Sequence, residues 1–263
     1  MKFQIIPHNL LEEYKRNNKT SLLEERFNHL QDSELSKNHF SFYTSVSAVF
    51  SSKIEGENID LDSFVNHKFL KTAYQIDYTR KIDDLYDAYL FAQQNRLNPD
   101  HISFVHTLIT KHILRTEMQG VFRKTNMFVI SNDGKIEYVA ALPQQVESEM
   151  EKLYNDIQIL LSAELPVDEE FYFASMLHLL FIKIHPFADG NGRTARLLEK
   201  WYLSEKLGEK SWFIQSERYY YEQYTNYYAN IRRIGIEYCD LNYLEALPFL
   251  QMLPDAMSLS NNL

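Results

Sequence analysis

Residues His185 to Arg196 read HPFADGNGRTAR, one histidine, one carboxylate, two glycines and two arginines in a single short run. Two of the chain's seven glycines, Gly190 and Gly192, flank one asparagine there. Glycines let backbone approach a ligand closely and adopt positive φ. A helix that starts at this point offers unpaired N–H groups and the positive end of its dipole. Together they describe a small nest for an anion, with main-chain N–H groups of Gly190 and Gly192 turned to phosphate oxygens. Arg193 and Arg196, three apart, share a helix face and suit a long, multiply charged anion such as a nucleotide polyphosphate. Asp189 beside such a nest makes chemical sense as the holder of a divalent cation, Mg²⁺ above all, which needs only one or two carboxylates besides phosphates and water. His185, titrating near neutral pH, is the natural general base. Asn191 can donate to a phosphate oxygen or orient the loop, and Phe187 anchors it. Each residue alone has an ordinary structural reading; few structural needs call for all of them in one loop-to-helix unit.

These residues must be positioned by helices. Seven glycines and seven prolines in 263 residues argue against a turn-rich fold. Helical periodicity runs over 36–54, 60–73, 79–94, 99–115, 143–163, 216–233 and 241–257. Asp168 reads as an N-cap, with Glu169 and Glu170 in the first turn. The helix it opens, FYFASMLHLLFIKI, is apolar nearly all round and belongs at the centre of the domain. It must end at the His185-Pro186 step. His178 within it reads as a satisfied core histidine. GRTARLLEKWYLSEKL is helical again. The exception is NMFVISNDGKIEYVA, Asn126 to Ala140, where Asn132-Asp133-Gly134 separates two β-prone runs and signals a hairpin. The expected fold is therefore all-α with one small hairpin. Gly56 and Gly120 read as helix ends or turns.

Composition narrows the function classes. Lysine plus arginine is 27 against 36 for aspartate plus glutamate, a net charge of −9. That gives no general pull on nucleic acid or anionic membrane, so neither is expected as a partner, and any phosphate site must be local. Cys239 is the one cysteine, so no internal disulfide can form. The N-terminus lacks the apolar run of a signal peptide, and no apolar stretch is long enough to span a membrane. A cytoplasmic protein is the expectation. The nine histidines show no H-E-x-x-H spacing, so no zinc site is expected. Nothing matches a Walker or Rossmann phosphate loop.

The run from His185 to Arg196 resembles the Fic motif, H-x-F-x-[DE]-G-N-G-R-x-x-R, with every specified position filled. The resemblance is strongest over 99–207 and thins towards both ends. It implies a Fic core there, an N-terminal helical region over 1–98 and C-terminal helices over 208–263. For activity it implies transfer of AMP from ATP to a serine, threonine or tyrosine hydroxyl of a protein. His185 would deprotonate the hydroxyl and Asp189 would hold Mg²⁺. Gly190, Asn191, Gly192, Arg193 and Arg196 would hold the phosphates. The hairpin resembles the family's flap, which docks a target segment as an added strand; Met127, Phe128 and Val129 and the segment 138–140 would be its strands. Upstream, SSKIEG matches the family's inhibitory pattern [ST]-x-x-x-E-[GN] through Ser51, Glu55 and Gly56. Glu55 would pair with Arg196 and take the place of the γ-phosphate, and some relatives also use this glutamate to remove AMP. Tyr228, in a YYANI context, resembles an adenine-contacting tyrosine, although Gly235 stands where some relatives have asparagine. Gly192 is lysine in Doc-like kinases, which argues against kinase activity. Relatives are often dimers, so a homodimer is one assembly the resemblance allows. A transferase using another nucleotide, and a catalytically silent binding module, are the alternatives.

Overall fold

In a computed structural model, the described residues are 1–17, 20–30, 37–70, 76–130, 134 and 136–258. In chain order the helices are α1 (Leu11–Asn17), α2 (Thr20–His29), α3 (Lys37–Ile54), α4 (Leu61–Leu70), α5 (Ile76–Gln94) and α6 (Pro99–Ile109). The hairpin strands β1 (Phe128–Ile130) and β2 (Ile136–Val139) come next. Then follow α7 (Pro143–Ser162), α8 (Val167–Ile184), α9 (Asn191–Leu207), α10 (Ser216–Glu222), α11 (Tyr224–Arg233), α12 (Leu247–Leu250) and α13 (Met252–Ala256). The fold is helical with one two-stranded sheet among the described residues.

The apolar helix is the axis of the molecule. From Phe171 to Ile184 every residue of α8 is buried, as the lack of a polar face requires. Helices α1, α2, α7, α9, α12 and α13 pack around it. α3 lies against α5 and α10 and reaches α9. One apolar cluster runs from Ile6 to Met257 and contains residues of α8 such as Phe171, Leu177 and Leu180. No helix of the described residues is long and apolar enough to cross a membrane.

Several boundaries depart from the periodicity, each for a local reason. α6 stops at Ile109 rather than near Arg115. The Thr110 hydroxyl turns back to the His106 carbonyl at 2.7 Å, and the His112 backbone N–H and ring both engage Asp84. Such side-chain bonds compete with the helical ladder. α8 opens at Val167 with Pro166 at the cap position, so Asp168 lies inside the first turn and is not the N-cap. The helix expected over 216–233 breaks at Gln223 (φ −103°, ψ 30°), where no glycine or proline marks it. The stretch 241–257 splits into short helices because Pro248 and Pro254 each lack an N–H donor. Ser36, the expected extension 71–73 and the turn residues Asn132 and Asp133 lie outside the described residues.

The hairpin pairs Phe128 with Val139, Val129 with Tyr138 and Ile130 with Ile136, with an irregularity between Val129 and Ile130. Met127 and Ala140 flank the strands and are joined by an Ala140 N–H to Met127 carbonyl bond of 3.0 Å. On its far side β2 is held by the 236–237 segment, the Val139 N–H donating to the Ile236 carbonyl at 2.8 Å. β1 is thus the outer strand.

Candidate active site

The loop between α8 and α9 is shaped by three local devices. His185 closes α8 in the left-handed region, φ 53° and ψ 61°, and is the one non-glycine residue with positive φ among the described residues. Gly190 (φ 77°) starts α9, and a Cβ there would strike the Thr110 methyl. Asn191 clamps the loop across itself. Its side chain accepts from the Phe187 N–H at 2.9 Å and donates to the Phe187 carbonyl at 2.8 Å. The buried Asn191 side chain thus orients the loop, one of the two roles its chemistry allows.

Two residues outside the loop hold it from behind. The His106 ring stacks on Phe187, centroids 3.7 Å apart and planes 15° apart. Its Nδ1 accepts from the Gly120 N–H at 2.9 Å, so its Nε2 carries the proton and donates to the Asp189 carbonyl at 2.8 Å. Burial pushes this imidazole down to about 4. Arg123 ties hairpin to loop. Its guanidinium donates to the carbonyls of Thr125 and Ala141 at the hairpin base and of Ile184 and His185, and its N–H bonds Pro186. Neither residue stands out in the sequence; their bonds to the loop span 62 to 83 residues.

The His185 ring faces Tyr138 of β2, whose hydroxyl oxygen lies 3.0 Å from Nδ1. Burial, and then the Arg123 charge, push His185 down to about 4, so the ring is neutral at neutral pH and able to take a proton.

At the start of α9 the first backbone N–H groups have no helical acceptor. The Gly190 N–H is turned to Asp189 Oδ1 at 2.5 Å. Arg193 is buried; its Nη2 reaches Asp189 Oδ1 at 3.3 Å, while Nε and Nη1 have no hydrogen-bond partner among the described residues. A buried guanidinium with open donors is costly unless an anion completes it. Asp189 itself is half exposed, and its second oxygen takes no hydrogen bond among the described residues. One open carboxylate beside an anion nest suits Mg²⁺, which is content with a single protein carboxylate plus phosphates and water. Among the described residues no group of three or more histidine, cysteine or acidic side chains is arranged to hold a metal ion by itself.

Arg196 points the other way, into α3. Its Nε donates to Ser51 Oγ at 2.8 Å, and Nη2 donates to the Ser51 carbonyl at 3.0 Å and to Glu55 Oε1 at 2.6 Å. Behind it, Tyr227 accepts from Nη1 at 3.4 Å and bonds His178, which in turn bonds Glu199 at 2.7 Å. Burial pulls the Glu55 carboxyl up, but Arg196 and Arg193 more than offset it and hold it below the usual carboxylate range. Glu55 presses on the start of α9: a Cβ at residue 192 would collide with its carboxylate. Gly56, with φ 90°, ends α3 and turns the chain away. The structure thus brings Ser51, Glu55, Gly192, Arg193 and Arg196 together, although 141 residues separate Glu55 from Arg196.

A cleft of about 740 Å³ opens beside Glu55, lined among others by Val129, Tyr224, Tyr228 and Arg232. Tyr228 is half-buried at its wall, while Tyr227 is in the core. Ile130 of the outer strand also lines the cleft, and it and Phe128 are exposed.

Residues 96–203 match the Fic/DOC family. A curated relative from Nematostella vectensis, named Protein adenylyltransferase Fic, is 34% identical over 109 residues, which are 41% of this chain and 23% of that protein. The match therefore spans about a quarter of the relative's length. Among solved structures, a Fic family protein from Desulfovibrio desulfuricans G20 aligns with a TM-score of 0.76 at 17% identity, over 99% of this chain and 75% of that one. A Fic domain containing signaling protein from Bacteroides thetaiotaomicron VPI-5482 aligns with a TM-score of 0.68 at 18% identity, over 92% and 94%. Fic-1 from C. elegans gives 0.68 at 18% identity, over 96% and 72%. These likenesses carry the fold, and the segment 96–203, which holds the motif-bearing loop between α8 and α9, is the part of the chain that matches the Fic/DOC family.

Proposed function

We propose that this chain is an autoinhibited protein adenylyltransferase, which moves AMP from ATP to a hydroxyl of a protein and releases pyrophosphate. The observation that carries the reading is the carboxylate of Glu55, seated on Gly192 and paired with Arg196, beside an Arg193 with two open donors. An acidic group holds a place whose surroundings suit an anion. The relative named as an adenylyltransferase supports the nucleotide as the natural anion.

In this reading the target hydroxyl oxygen attacks the α-phosphorus. The bond from that phosphorus to the bridging oxygen breaks, pyrophosphate leaves, and the hydroxyl proton passes to His185 Nε2. Arg193 and Arg196 bind the β- and γ-phosphates, with the backbone of Gly190 and Gly192 beneath them; Asn191 keeps the loop in shape. Asp189 would hold Mg²⁺, which supplies charge neutralisation on the phosphates. Tyr228, on the cleft wall, meets the adenine. Met127, Phe128 and Val129 receive the target segment along the free edge of β1. Catalysis here is positioning and charge stabilisation. Glu55 blocks it by occupying Arg196, a charge-assisted pair of the stronger kind.

The test is Glu55→Gly incubated with ATP and Mg²⁺ and read by mass spectrometry. A gain of one adenylyl unit on a hydroxyl residue, absent in the parent and lost on adding His185→Ala, is expected. An adduct only with another nucleotide would reassign the donor. No adduct together with no nucleotide binding by calorimetry would leave a silent binding module.

A further inference from the structure

The base His185 does not stand alone. Its Nδ1 faces the hydroxyl of Tyr138, and the rings meet edge to face with centroids 5.8 Å apart. Tyr138 is itself buried, at 3% exposure, and locked. The Lys183 ammonium lies 4.7 Å from its ring centroid and donates to the Gly235 carbonyl at 2.8 Å. Tyr138 also sits in the middle of β2, which is paired with β1 on one side and the 236–237 segment on the other. Next to it, Glu137 pairs with Arg232 of α11 at 2.6 Å. The hydroxyl is thus fixed by the flap, and the imidazole by the helix end.

A neutral imidazole carries one proton, on one nitrogen or the other. It can accept a substrate proton on Nε2 only if that proton is on Nδ1. An Nδ1–H needs an acceptor in this buried place; the Ile182 carbonyl also faces the ring, and the Tyr138 oxygen lies 3.0 Å from Nδ1. Resting on the adenylyltransferase reading, we propose that Tyr138 is a positioning residue: its hydroxyl oxygen accepts from His185 Nδ1–H and keeps Nε2 free to receive the target's proton. When the ring becomes an imidazolium, the same bond holds the Nδ1 proton in place. The flap then does two things at once, since the strand that pairs with the target-docking strand also sets the base.

Tyr138→Phe tests this because it keeps the ring, its packing and the contact with Lys183 while deleting one oxygen. Nitrogen-15 NMR of the histidines, with His185 assigned by its loss in His185→Ala, reads the tautomer without any need for activity. The parent should show His185 protonated on Nδ1, and Tyr138→Phe should shift it towards the Nε2–H form. In the Glu55→Gly background, Tyr138→Phe should lower kcat about tenfold, the scale of one net neutral hydrogen bond, with KM for ATP unchanged. An unchanged tautomer in Tyr138→Phe overturns the proposal whatever the rate does. A shifted tautomer with unchanged kcat overturns the role in the reaction. If Glu55→Gly alone transfers nothing, the adenylyltransferase reading fails, while the NMR result still decides whether Tyr138 sets the ring.

Discussion

His106 is held in one tautomer from both sides, and this has a pH consequence. Its Nδ1 already accepts the Gly120 N–H, so a second proton would have to sit where that donor points. Burial above all disfavours the charged ring, and the pKa falls from 6.5 to about 4. A folded-state pKa below the unfolded one means stability that is present above pH 6.5 and lost as pH falls towards 4. At ~1.4 kcal/mol per unit, the loss over that window is about 3 kcal/mol. Urea denaturation at pH 7, 6, 5 and 4.5 should show it. His106→Gln, which can accept from Gly120 and donate to Asp189 without titrating, should lose less stability over the same range. Equal slopes for parent and variant would refute the assignment. His106 also marks what the sequence conceals at this scale. The residues of the 185–196 loop were legible because they are contiguous and their types are chemically improbable together. His106, Arg123 and Tyr138 act on the same loop through bonds spanning 83, 62 and 47 residues, and no local pattern announces such partners.

At the scale of elements, α3 matters because it delivers Ser51 and Glu55 to Arg196. It is pinned one turn earlier by a buried ion pair. Lys200 of α9 donates to Glu217 of α10 at 2.6 Å and to Ser47 of α3 at 2.7 Å. Ser47 and Tyr89 of α5 complete the carboxylate, at 3.1 and 2.6 Å. Removing one partner of such a pair leaves a bare charge in the core, a cost of about 3–5 kcal/mol. Glu217→Ala is expected to lose that much by chemical denaturation, whereas replacing both partners, Lys200→Met with Glu217→Leu, should recover most of it. If Glu217→Ala proved as stable as the parent, the pair would not be what seats α3. Helices α7 and α9 could be drawn from periodicity almost to the residue, and α8 from its unbroken apolar run and the proline that stops it. The stops at Ile109 and Gln223 could not. One follows from side-chain bonds to distant Asp84 and to the helix's own backbone, and the other carries no breaker residue at all.

The whole molecule raises the question of how its parts depend on each other. The segment that matches the family, 96–203, contains α8 and most of α9, the two helices of the loop. Yet that segment does not cover its own core. Asp156 of α7 accepts the backbone N–H groups of Gln4, Ile5 and Ile6 at 2.7–2.9 Å. The Tyr172 hydroxyl on α8 donates to the Pro7 carbonyl at 2.9 Å, and Tyr14 stacks edge-on against Tyr172. On the other flank, Phe249 lies against His178, and Tyr220 donates to Glu199. Cutting the chain at 96 and 203 would strip both sides of a helix that has no polar face, and would leave His178 and Glu199 without Tyr220 and Tyr227. The exposed apolar area and the orphaned buried groups both oppose independent folding. We therefore propose that the regions 1–98, 99–207 and 208–263 form one cooperative unit. Calorimetry of the full chain should give a single unfolding transition with equal van't Hoff and calorimetric enthalpies. A 96–203 fragment should keep helical far-ultraviolet dichroism but lack the near-ultraviolet signal of fixed aromatic packing. Two separate transitions, or a fragment with native aromatic signals, would show that the family segment folds by itself. Glu55 would then belong to an attachment that can detach as a whole, and release of Arg196 would require only undocking, not a rearrangement of α3 within a shared core.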